Sequence, residues 1–181
     1  DKENQEVTAQ LAQTNDDLDK TNAQLAQTND DLLGRAVNPV IYSGADNTGL
    51  VDSTQAIENA FTLSKHVILP PGTYLISKLN IPPNSILEMS GQGLTTLAKS
   101  SNGYMIKLGK GSNVLNGSFD GKMDLYTGQG IIIEDGSNTT NRSNQGHQRI
   151  IGCSFDNMDD YHIEYTQPNK GWMSRVSECN F

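Results

Sequence analysis

Long apolar runs are missing from this chain. No stretch approaches the roughly 18 consecutive apolar residues of a membrane-crossing helix, so membrane insertion is not expected. Bases are scarce: 13 lysines and arginines stand against 21 aspartates and glutamates, a net charge of −8. A nucleic-acid binder needs a basic patch to meet phosphates, so that class is excluded. Hydrophobic residues make up only 35% and aromatics 6% of the 181 residues, short of the about 45–50% apolar content usual for a globular chain. The two cysteines leave the redox compartment open. No basic start followed by an apolar run marks a signal peptide. The chain closes at Phe181 inside what reads as a strand, which suggests a piece of a longer polypeptide.

The polar excess is uneven. Residues 1–34 hold eight acids and two bases, leaving 13 acids and 11 bases for the remainder. The first aromatic is Tyr42 and the first proline is Pro39. Within the acidic stretch, Ala9–Leu18 recurs unchanged as Ala23–Leu32, a period of 14 residues. Two heptads have that length. Leu11, Leu18, Leu25 and Leu32 fall every seventh residue, with Val7, Thr14, Thr21 and Thr28 as the second series. Leu at a with a β-branched residue at d favours three or four strands over two. The other register, with Asn15 and Asn22 at a, fits Val7 less well. The expectation is a trimeric coiled-coil stalk over 1–34, about 50 Å long, stopped by Gly34. A partly helical acidic linker is the alternative.

The rest reads as strands with one helix. Val40-Ile41-Tyr42 suggests a short strand. Asp52 suggests a helix N-cap, with Gln55 completing a capping-box-like pair. Ala56, Ile57, Ala60, Phe61 and Leu63 would share one helical face. Strands are expected at 66–69, 73–77, 86–89, 96–98, 105–108, 114–119, 131–134, 149–155, 162–166 and 175–181, separated by Gly, Asn, Asp and Ser. Three of them share an apolar start and a final Phe: Val114–Phe119, Ile150–Phe155 and Val176–Phe181. Phe155 and Phe181 are 26 apart, as are Cys153 and Cys179. Ile131-Ile-Ile-Glu134 and Tyr161-His-Ile-Glu164 form a second set. Strand repeats of such length mark a parallel β-solenoid, in which equivalent side chains stack about 4.8 Å apart. An antiparallel sandwich is the alternative, for which tight hairpin turns are few.

Tyr42-Ser-Gly-Ala-Asp-Asn47, Asp52-Ser-Thr-Gln-Ala-Ile57 with Ala60, and Leu69-Pro-Pro-Gly-Thr-Tyr74 resemble the opening of pectate-lyase-like right-handed parallel β-helices. The same signature occurs in phage tailspikes and in the pre-neck appendages of small phages of Gram-positive hosts. The resemblance covers roughly residues 39–181 and is densest over 42–74. It implies an all-β fold: a right-handed parallel β-helix capped by a short α-helix and preceded by the trimeric coiled coil. The segments would be the stalk (1–34), a linker with first strand and capping helix (35–77), and the first coils (78–181). It further implies a virion protein, extracellular during host attachment. Its partners would be two further copies of itself, other tail or neck proteins held through the stalk, and a host cell-wall or capsular glycan. It leaves open that the full-length protein depolymerises that glycan. A non-catalytic fibre connector and a secreted monomeric lyase or hydrolase are the other readings. No cofactor and no metal are expected.

Sugar-cleaving spikes of this kind use paired carboxylates on the solenoid wall or between subunits. About 5–5.5 Å between them suits a retaining hydrolase and about 6.5–9.5 Å an inverting one. The candidates are Glu134 with Glu164, and Asp120 with Asp156, each pair on one face in adjacent coils. The bland alternative is that they are solvated edge charges. Asp156–Asp160 could bind calcium or simply form a polar turn. Cys153 and Cys179 would stack as free thiols or, less simply, as a disulfide. Asn138 and Asn141 match glycosylation acceptors, by chance in a phage protein. Trp172 could stack on a sugar or pack in a core.

Overall fold

The computed structural model describes residues 10–22, 24–25, 35–133, 147–165 and 174–181. The chain forms two compact units, Asp1–Arg35 and Ala36–Phe181. In the first, residues 10–22 and 24–25 are helical and form α1. Leu11, Leu18 and Leu25 on this helix are 63%, 56% and 58% exposed.

The second unit is mostly β, with three parallel sheets and few helices. It opens with α2 (Pro39–Tyr42), β1 (Thr48–Asp52) and α3 (Thr54–Leu63). The next strands are β2 (His66–Leu69), β3 (Gly72–Ile76), β4 (Leu79–Ile81), β5 (Ile86–Met89), β6 (Thr95–Lys99) and β7 (Ile106–Leu108). Then come β8 (Asn113–Leu115), β9 (Ser118–Asp120), β10 (Ile131–Ile133), β11 (Arg149–Ile151), β12 (Ser154–Asp156), β13 (Ile163–Tyr165) and β14 (Arg175–Ser177). Sheet A orders β14-β11-β8-β5-β2, sheet B β1-β3-β6-β9-β12, and sheet C β13-β10-β7-β4. From β2 onward the chain therefore visits A, B and C in rotation, and each strand pairs with its counterpart one circuit earlier.

Alternation along each strand decides what faces inward. Val67, Leu87, Val114, Ile150 and Val176 are successive register partners in sheet A. Tyr74, Leu97, Phe119 and Phe155 are partners in sheet B. Leu79, Ile106, Ile131 and Ile163 are partners in sheet C. Side chains from all three sheets join one buried core. Fully burying one such side chain is worth about 1.5–3 kcal/mol, so the buried members of these columns, all but the exposed Val176 and half-buried Ile163, contribute most to the stability of this unit. The expected stacking of Val114, Ile150 and Val176, and of Phe119 and Phe155, is observed.

Several expectations need correction. Val40–Tyr42 belongs to a helical turn, not a strand. Asn38 caps it by accepting from Val40 N at 2.9 Å, and Pro39 at the first position needs no N–H there. The N-cap of α3 is Ser53 rather than Asp52, and its side chain makes no capping bond. Its Oγ is engaged instead by Asp46, accepting from Asp46 N and donating to Asp46 O, both at 2.9 Å. Asp52 still reaches the helix start, accepting from Thr54 N at 2.9 Å. Gln55 turns away to donate to Asn59 Oδ1 at 3.0 Å. On α3, Ile57, Ala60 and Phe61 are buried, whereas Leu63 is 45% exposed. The helix packs on β2 and β4, the first strands of two sheets. Strands expected to run over 114–119 and 149–155 are each broken in two, where Asn116 (φ 62°) and Gly152 (φ 65°) turn the corner from A to B. Strands β1 and β4 stand where the sequence pattern marks none.

Candidate functional site

Asp120 and Asp156 close β9 and β12 and are register partners, so their backbones lie about 4.8 Å apart. Asp120 is half-buried and Asp156 exposed. Asp120 Oδ1 accepts from Lys122 N at 3.0 Å and Asn157 Nδ2 at 3.1 Å. One oxygen of the pair thus holds the corner in shape rather than waiting for substrate.

Of the other pair, only Glu164 lies among the described residues. Sheet C pairs Ile132 with Glu164 and Ile133 with Tyr165, an offset of 32 residues. The similarity of the two Ile-Glu runs had suggested 30. Glu164, half-buried, therefore neighbours an isoleucine, and beyond it Lys107 pairs with Ile132. Glu134, the acceptor motifs at Asn138 and Asn141, and Trp172 lie outside the described residues. Among the described residues no cluster of three or more His, Cys, Asp or Glu could hold a metal ion.

Two histidines and the two cysteines sit in structural settings. His66 Nε2 lies 2.8 Å from Glu88 Oε2. His162 meets Phe155 and Phe181 edge-on, at centroid distances of 6.1 and 5.5 Å. Cys153 and Cys179 are both free, one buried and one half-buried. Burial pushes the Cys153 thiol up to about 12, which makes it a poor nucleophile. A shallow groove of about 500 Å³ runs beside β4 and β7, floored by Ile81, Pro82, Pro83 and Leu108 and edged by Lys107 and Lys110. Among the described residues, Asp120, Asp156 and Glu164 do not line it.

Two acids and a lysine outside the catalytic candidates are strongly engaged. Asp46 accepts from Thr48 Oγ1 (2.6 Å), Thr48 N (3.1 Å), Leu50 N and Val51 N (both 2.8 Å). These bonds, that from the Thr48 hydroxyl foremost, hold its carboxyl far below the ordinary 3.8. At Asp52, burial pushes upward but is outweighed by hydrogen bonds from Ser100 and Thr54, so its carboxyl is also lowered. Lys99 is 1% exposed, and its Nζ donates to Thr127 O at 2.8 Å and Gly128 O at 2.9 Å. Burial lowers its pKa, opposed by the charges of Asp159 and Asp160. It pins the loop between β9 and β10 from inside.

The Asp46 bonds predict an acid response. A carboxyl held lower in the folded chain contributes stability above its unfolded pKa and loses it as pH falls toward the folded value. Asp46→Asn should therefore melt below the wild type near neutral pH, with the gap closing as pH drops below about 4. Thermal melts across that range check it; a gap unchanged down to about pH 3 overturns the assignment.

Compared with known proteins, the chain matches no family model, no curated protein and no solved structure.

Proposed function

We propose that this chain is the stalk and first coils of a homotrimeric phage tail spike or pre-neck appendage, which holds the virion to a host cell-surface glycan. In this reading the three parallel sheets are the walls of a right-handed parallel β-helix, α3 is its cap, and α1 belongs to a three-stranded coiled coil. The observation that carries it is the pairing of two features. One is a heptad helix whose leucines stand 56–63% exposed in the single chain; the other is a stack of parallel strands visited in rotation. Exposed leucines at seven-residue spacing call for partner helices. Thr14 and Thr21 suit the seam, since their hydroxyls already donate to Gln10 O and Asp17 O, both at 2.8 Å, and leave a methyl for packing.

A second reading, a connector without catalysis, is favoured by the way Asp46, Asp52 and Asp120 are engaged in turns and helix starts. We assign these circuits a scaffold role on that ground. Sedimentation equilibrium at micromolar concentration is expected to give a trimer, and a monomer would sink the reading. Binding of the chain to purified Gram-positive wall polymer tests attachment. Shortened polymer after incubation would assign a catalytic role to Asp120, Asp156, Glu134 and Glu164, provided alanine at these positions abolishes it.

A further inference from the structure

Like charges facing each other on neighbouring strands are destabilising, yet this domain contains two such pairs in register. Asp120 pairs with Asp156 where sheet B ends, and Arg149 pairs with Arg175 where sheet A begins. Both arginines are exposed. Arg149, Arg175, Asp120 and Asp156 form no ion pair with a described residue, the pairs Lys20–Asp17 and His66–Glu88 lying elsewhere, so neither ladder is neutralised by the other or by a described neighbour. The two ladders lie on the two corners that flank sheet C, and each is self-repelling within one copy.

Their heights interleave. The chain climbs one strand spacing, about 4.8 Å, per circuit, and the four residues follow one another along it as Asp120, Arg149, Asp156 and Arg175. A second copy standing parallel to the first would place each guanidinium between or beside the carboxylates of its neighbour. The contact uses different surfaces on the two copies, so it is heterologous and closes only in a ring.

We propose that the Arg149/Arg175 corner of one copy docks on the Asp120/Asp156 corner of the next, closing a three-fold ring of the β domains. This rests on the trimeric reading above and adds to it a second, electrostatic contact outside the heptad helix. The test is sedimentation of the full chain at low and at molar salt, with circular dichroism to confirm folding. Wild-type association is expected to weaken at least tenfold in molar salt, where exposed charges are screened. Arg149→Glu with Arg175→Glu should weaken it at least as much at low salt, and Arg149→Gln with Arg175→Gln less. Adding Asp120→Arg and Asp156→Arg to the glutamate pair, which swaps the two corners, should restore it. A trimer indifferent to the arginine reversals overturns this contact and leaves the heptad trimer standing. A wild-type chain that stays monomeric overturns both. Failure of the swap to restore a folded chain's association overturns the pairing. So does tight binding of soluble polyphosphate to the wild-type trimer that is lost in the glutamine variant, since the arginines would then be open to an anionic ligand.

Discussion

Phe119→Ala is expected to lower the unfolding free energy by about 3–5 kcal/mol. The ring is fully buried, lying between Leu97 below and Phe155 above in the sheet B column. It stacks on Phe155 with centroids 4.8 Å apart and planes 9° apart. Phe155 in turn stacks on Phe181 at 5.5 Å and 10°. Truncation at 119 therefore removes a buried side chain, leaves a cavity walled by both neighbours, and breaks a ring contact worth about 0.5–1.5 kcal/mol beyond area. The same change should matter slightly less at Phe155, 2% exposed, and far less at Phe181, 69% exposed, where little apolar surface is withdrawn from water. Urea unfolding of the three alanine variants measures the gradient. Equal losses at 119 and 181 would show that the column fails as one unit, and burial would not be the deciding quantity.

That column was legible because its pattern is redundant: an apolar start, a small or polar middle and a final Phe recur three times. Sheet C was legible as strands but not in register. Two Ile-Glu runs suggested an offset of 30, whereas the strands pair at 32, because the corner loops set the offset and carry no periodicity. Strand β4 is three residues, too short for alternation to stand out, and β1 has nothing buried in its burial pattern, since Leu50 and Val51 both face solvent. Asp46 read as one more turn residue because the amides it binds come two to five positions later. Lys99 had no signal: lysine at an inward position contradicts the pattern that identifies a strand. The arginine pair did have one: Arg149 and Arg175 share the 26-residue spacing of Cys153 with Cys179 and Phe155 with Phe181.

Gly121→Val is expected to cost about 3 kcal/mol, at the upper end of the overpacking range, and the reason is not backbone conformation. Gly121 does not adopt a positive φ. A Cβ there would instead collide with Asn157 O and sit 2.9 Å from Met158 Cα, backbone atoms of the next circuit, and 2.8 Å from Met158 Sδ. A flexible side chain could move aside, but those backbone atoms are fixed by Gly121 N donating to Asp156 O at 2.9 Å and Met123 N to Asn157 O at 3.0 Å. Relief therefore requires the circuits to separate at this corner, loosening the Asp120–Asn157 bond with them. Gly93 supplies the opposite case, with φ at +73° and nothing within 4 Å of an added Cβ. Gly93→Ala should cost only the left-handed strain of an L residue, about 1–2 kcal/mol. Gly121→Ala should lie between Gly93→Ala and Gly121→Val, because one methyl already meets the carbonyl. Urea unfolding orders the three variants. If Gly93→Ala proved the most damaging, turn conformation rather than close approach of successive circuits would limit what the corners of this domain tolerate.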